Sequence, residues 1–120
     1  MQQSANLIQL SDDTFDAAVA GRVVAVQFWA SWCMPCRMLE PVVQHLAETF
    51  EGQAPIAQID TDQHRETAKR FDITAVPTIV VLRDGKPVAR FVGLTGYEKL
   101  ASAIETALAP NAERGEAAAS

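Results

Sequence analysis

The run VVAVQFWA, Val23 to Ala30, constrains this chain more than any other stretch. It is β-branched, aromatic and almost uninterrupted in its apolar residues, the composition of a central strand covered on both faces rather than of a half-exposed one, which would alternate. Such a strand needs a layer above and a layer below it. A chain of 120 residues is large enough for one core of that kind and too short for a second. From Pro35 the period changes. Leu39, Val42, Val43, Leu46, Ala47 and Phe50 recur at three-and-four spacing, while Arg37, Gln44, His45 and Glu48 fall elsewhere, which predicts a long amphipathic helix. Pro41 lies inside it and is expected to kink it after about a turn and a half.

Turn signals divide the rest into alternating pieces. LIQL (7–10) reads as a first strand and SDDTFDAAVA (11–20) as a helix, with Ser11 or Asp12 to cap it, Asp13 and Asp16 at its positive end and Gly21 to stop it. PIAQID (55–60) reads as a second buried strand and QHRETAKRF (63–71) as a short helix. TIVVLRDGKPVARFVG (78–93) reads as a hairpin turning at Asp84-Gly85, and YEKLASAIETALA (97–109) as a helix with Leu100, Ile104 and Leu108 on one stripe. The order β α β α β α β β α predicts an α/β three-layer sandwich, a central mixed sheet of five strands flanked by four helices. Residues 1–110 form the expected domain, and 111–120, which lack a core face, the expected flexible tail.

Charge and composition narrow the function. With 10 basic against 15 acidic residues and a net charge of −5, the chain is not expected to bind nucleic acid. Arg65, Lys69 and Arg70 fit one solvated helix face. The N-terminal MQQSANLIQLSDD has no positive charge ahead of an apolar run, so no secretory signal is expected and the expected location is cytoplasmic. The longest apolar stretches fall far short of the roughly 20 residues that span a bilayer.

Both cysteines lie in FWASWCMPCRMLEP (28–41), Cys33 and Cys36, separated by Met34 and Pro35. A disulfide closing so short a loop restricts the unfolded chain least, so a structural staple would contribute little. A structural zinc needs four ligands; His45 and His64 belong to no pairing motif and read as a helix-face and a loop histidine. The position favours a reaction centre. Cys33 follows a buried strand and stands where a helix begins, so free N–H groups and the helix dipole favour its thiolate, and Pro35 suits a first helical turn. A thiol of pKa about 8.5 is a few per cent ionised at pH 7, whereas one lowered to about 7 is half ionised. Cys36, one turn deeper, is expected to be less exposed, which suits a resolving thiol.

At these residues the chain resembles the thioredoxin family, from about Leu7 to Leu108. FWASWCMPCRMLEP parallels the family's active-site segment, usually W-C-G-P-C-K; AVPT (75–78) parallels its cis-proline loop, and FVG (91–93) its substrate rim. The resemblance implies a thioredoxin fold and a protein-disulfide reductase in which Cys33 attacks and Cys36 resolves. It also implies a cis Val76-Pro77 peptide beside Cys33 and a docking rim of Trp32, Met34, Val76, Pro77, Gly93 and Leu94. No tightly bound cofactor or metal is implied; electrons would come from an NADPH-dependent flavoprotein thioredoxin reductase, the substrates would be protein disulfides, and the chain would act as a monomer.

Two departures stand out. Where the family usually buries an aspartate with a lysine near it, this chain carries Gln27 and Gln58. Losing both charges together is expected to leave a neutral site without a general base, and hence slower or less pH-sensitive resolution by Cys36. Met34 replaces a glycine, and the residue between the cysteines influences the reduction potential and the rim. A client-binding or chaperone-like module and an oxidant or isomerase are the alternative readings.

Overall fold

The computed structural model describes residues 7–110; residues 1–6 and the segment 111–120 expected to form a tail lie outside the described residues. The elements follow the expected order: β1 (Leu7–Leu10), α1 (Phe15–Val19), β2 (Val23–Trp29), α2 (Met34–Thr49), β3 (Ile56–Asp60), α3 (Arg65–Arg70), β4 (Thr78–Arg83), β5 (Lys86–Val92) and α4 (Tyr97–Leu108). The strands make one five-stranded sheet in the order β1-β3-β2-β4-β5. β3 runs parallel to β1 and β2, while β4 runs antiparallel to both β2 and β5.

Alternation along β2 sorts the core into two halves, as a strand covered on both faces requires. Val23 and Ala25 pack with Leu39, Val43 and Leu46 of α2 and with Leu100 and Ile104 of α4. Val24, Val26 and Phe28 face the other way, onto Phe15 and Val19 of α1 and onto Phe71 beyond α3. Arg70 lies on that second half: it pairs with Asp16 at 2.8 Å and stands 5.1 Å from the ring centroids of both Phe15 and Phe71. The β4–β5 hairpin turns at Asp84 and Gly85, with φ of 52° and 80°, the left-handed pair that a tight hairpin needs. α2 continues through Pro41 as one helix.

The start of α1 differs from expectation. Neither Ser11 nor Asp12 caps it; Thr14 occupies the cap position without a capping side-chain bond. Ser11 and Thr14 bond each other's backbone instead. The Asp12 carboxylate is drawn away to α3, where it accepts from the Thr67 amide at 2.9 Å and the Thr67 hydroxyl at 2.6 Å. That long-range pair satisfies an unpaired N–H in the first turn of α3.

Candidate active site

The site forms where β2 ends and α2 begins. Cys33 is the N-cap residue of α2, extended at φ −92° and ψ 107°, and its Sγ accepts the Cys36 N–H at 3.1 Å. A side chain in that position faces the unpaired amides of the first turn, and Pro35, which has none to offer, sits within that turn. Cys33 and Cys36 are joined as a disulfide with Cα atoms 5.3 Å apart. The expected difference in exposure is absent. Both cysteines are 3% exposed, because in the bonded state each sulfur covers the other while Trp29 and Val76 pack against the pair.

Residues distant in sequence converge here. Val76-Pro77 is a cis peptide. Val76 is half-buried against the cysteines, Pro77 is buried, and the Pro77 carbonyl accepts the Gly93 N–H at 2.8 Å, which ties the third segment to the second. Trp32, Met34 and Leu94 stand out from the surface at 69%, 64% and 56% exposure. The Trp32 Nε1 donates to the Asp62 carboxylate at 2.8 Å, which fixes the indole from one side. His45 and His64 are not near one another in any ligand set: His45 stacks on Tyr97, and His64 accepts the Asp12 N–H. Among the described residues no group of three or more His, Cys, Asp or Glu side chains could hold a metal ion.

Behind Cys36 the structure corrects one expectation. Gln27 and Gln58 are buried as neighbours, but they are not alone: the Glu40 carboxyl joins them. Parallel register sets Gln9 against Gln58 and Gln58 against Gln27, a row of amides across three strands. The row shares the sheet face of Leu7, Ala25 and Ile56, which lies under α2. Gln9 donates to the Gln58 Oε1 at 2.8 Å, and the Gln58 Nε2 donates to Gln27 at 2.6 Å and to the Glu40 carboxylate at 2.9 Å. Gln44 adds a bond to Glu40 at 3.2 Å. Glu40, which the helical pattern left unassigned, is 8% exposed and restores a carboxylate to the place where two charges are missing. Cys36, Glu40, Gln27, Gln58, Trp29 and Arg37 line one cleft of about 280 Å³.

A redox-active Cys pair at a helix start, in a mixed sheet sandwiched between helices, defines a thiol–disulfide oxidoreductase. Comparison with known proteins gives the same class: the thioredoxin family model matches residues 6–106. Thioredoxins of Staphylococcus aureus and Staphylococcus saprophyticus are 38% and 39% identical over 99 residues, covering 82% of this chain and 95% of theirs. The chain belongs to the thioredoxin family and is a protein-disulfide reductase of the thioredoxin type. That membership favours dithiol chemistry over a client-binding module.

Proposed function

We propose that Cys33 is the attacking thiolate and Cys36 the resolving thiol. The observation that carries this is the N-cap position of Cys33, whose sulfur receives the Cys36 amide at the positive end of a 16-residue helix. Both features favour negative charge on that sulfur, and the thiolate is the nucleophile. Cys33 attacks a substrate disulfide, forming a mixed disulfide and releasing one substrate thiolate. Cys36 then attacks the Cys33 sulfur, forming the Cys33–Cys36 disulfide and releasing the second. Trp32, Met34, Val76, Pro77, Gly93 and Leu94 form the docking rim, and Gln27 and Gln58 support Cys36 from behind. Pro35 supports the first helical turn.

The same reading has the Cys33–Cys36 disulfide re-reduced by an NADPH-dependent flavoprotein thioredoxin reductase, with no cofactor held by the chain itself. It acts as a cytoplasmic monomer in electron transfer that maintains cellular thiols. No helix among the described residues is long and apolar enough to cross a membrane. A redox titration against glutathione tests the direction of electron flow. A midpoint more reducing than about −200 mV is expected; one near the −120 mV of a strong dithiol oxidant contradicts the reductase reading.

A further inference from the structure

We propose that Glu40 takes the proton from Cys36 when Cys36 attacks the mixed disulfide, a role that rests on the assignment of Cys36 as the resolving thiol. Glu40 follows Cys36 by four residues on α2, so the two side chains lie on one face, a turn apart. Cys36 is 3% exposed, and the cleft it shares with Glu40 is where its proton can leave.

The burial of Glu40 is the second observation. Carboxylates are almost never this buried unless paired, yet among the described residues no cation forms an ion pair with Glu40. Two neutral amides, Gln58 and Gln44, hold it instead. A carboxyl group kept beside a reactive sulfur and held by amides rather than by an ion-paired cation is the pattern of a working group rather than of a stabilising one.

The amide row is the third. Gln58 presents its Nε2 to a Glu40 carboxyl oxygen, which accepts. The same Nε2 then reaches the Gln27 Oε1, which leaves the Gln27 Nε2 buried without a partner. The row thus turns the Gln58 donor toward Glu40. Glu40 shares its cleft with Ser31 before α2, Cys36 and Arg37 of α2, Gln58 of β3, and Gln27 and Trp29 of β2; Gln44 of α2 bonds it, and Gln9 of β1 bonds Gln58 behind. The amides, the indole and the Ser31 hydroxyl take up no proton at neutral pH, and the guanidinium stays charged, so among the described residues lining the cleft Glu40 is the one carboxyl group.

In the step itself the Cys36 proton passes across the cleft to Glu40 while the electron pair stays on sulfur. The Cys36 thiolate forms a bond to Cys33 as the Cys33–substrate bond breaks. The departing substrate thiolate gains a proton from solvent, and Glu40 returns its own to solvent. Two electrons move from the Cys33–Cys36 pair to the substrate, and no further reactant is needed.

Single-turnover kinetics with a quenched fluorescent peptide disulfide, from about pH 5.5 to 8.5, separate formation of the mixed disulfide from its decay. In Glu40→Gln, formation is expected to stay within about twofold of the native rate. Decay is expected to slow at least about tenfold near pH 6.5, with the gap closing as the pH rises and the thiol ionises unaided. Adding Gln27→Asp, which supplies a carboxylate from the opposite wall, is expected to restore the low-pH rate; Glu40→Asp, the milder change should the glutamine variant fold poorly, is expected to fall between. Native decay at every pH in Glu40→Gln, or in Glu40→Asp if that alone folds, overturns the proposal, as does a pH-independent slowing, which marks an anchor. If Cys36→Ser forms no lasting mixed disulfide, the underlying reading fails instead.

Discussion

The Gln58 side chain donates to the Glu40 carboxylate at 2.9 Å, so a buried charge on α2 depends on a residue of β3. Gln58→Leu strips that donor and removes one hydrogen bond each from Glu40, Gln27 and Gln9. A buried acceptor left unsatisfied costs about 1–3 kcal/mol, and more when it is charged, so a loss of about 3 kcal/mol is expected in urea unfolding at pH 7.

Asp12 gives acid stability a definite sign. The Thr67 hydroxyl, aided by the Thr67 amide, holds its carboxyl below the ordinary aspartate value. A group lowered in the folded state contributes stability above its unfolded pKa and loses it as the pH falls through the folded one. Between roughly pH 5 and pH 2 the stability of Asp12→Asn should therefore fall less steeply than that of the native chain. Thr67→Ala should begin acid unfolding at a higher pH, with circular dichroism as the readout.

Trp32 is a large apolar side chain held out into solvent by its bond to Asp62. Exposed aromatics of this kind anchor protein partners. Trp32→Ala is expected to lower kcat/KM for a folded protein disulfide about tenfold, the equivalent of about 1.4 kcal/mol, while a small aromatic disulfide is reduced at nearly the native rate. Asp62→Ala, which frees the indole without removing it, should cost less, about two- to threefold. Equal losses on both substrates would place Trp32 in the chemistry rather than in docking.

Gly93 has φ +87°, and a Cβ added there would meet nothing within 4 Å. The cost of Gly93→Ala is therefore that of the left-handed backbone alone, about 1–2 kcal/mol. Guanidinium unfolding should show that loss, and the rim beside Pro77, which the Gly93 amide fixes at 2.8 Å, should loosen with it.

Much of this was legible in sequence because local period and turn chemistry agreed with the fold. The continuous apolar run at Val23–Trp29, the change of period at Pro35 and the Asp84-Gly85 turn placed strands, helices and hairpin in order. What local pattern could not carry was pairing between distant segments. Asp12 looked like a cap for the helix that follows it, and a partner 55 residues away won. The register that aligns Gln9, Gln58 and Gln27 is likewise a property of three strands together. Glu40 had a signal that went unused: Cys36, Leu39, Glu40 and Val43 stand at i, i+3, i+4 and i+7, which puts the acid inside the buried stripe. An acidic residue in a helix is ordinarily solvated, and that rule hides a carboxyl group at the place where the resemblance marks two charges as missing.

The central claim, that Cys33 attacks and Cys36 resolves, is tested most directly by trapping. Reduced Cys36→Ser and Cys33→Ser variants are mixed with a protein disulfide, and the adducts are mapped by mass spectrometry. Stable mixed disulfides through Cys33 are expected in Cys36→Ser, and about tenfold fewer, or none, through Cys36 in Cys33→Ser. Adducts forming equally at both positions, or preferentially at Cys36, would contradict it.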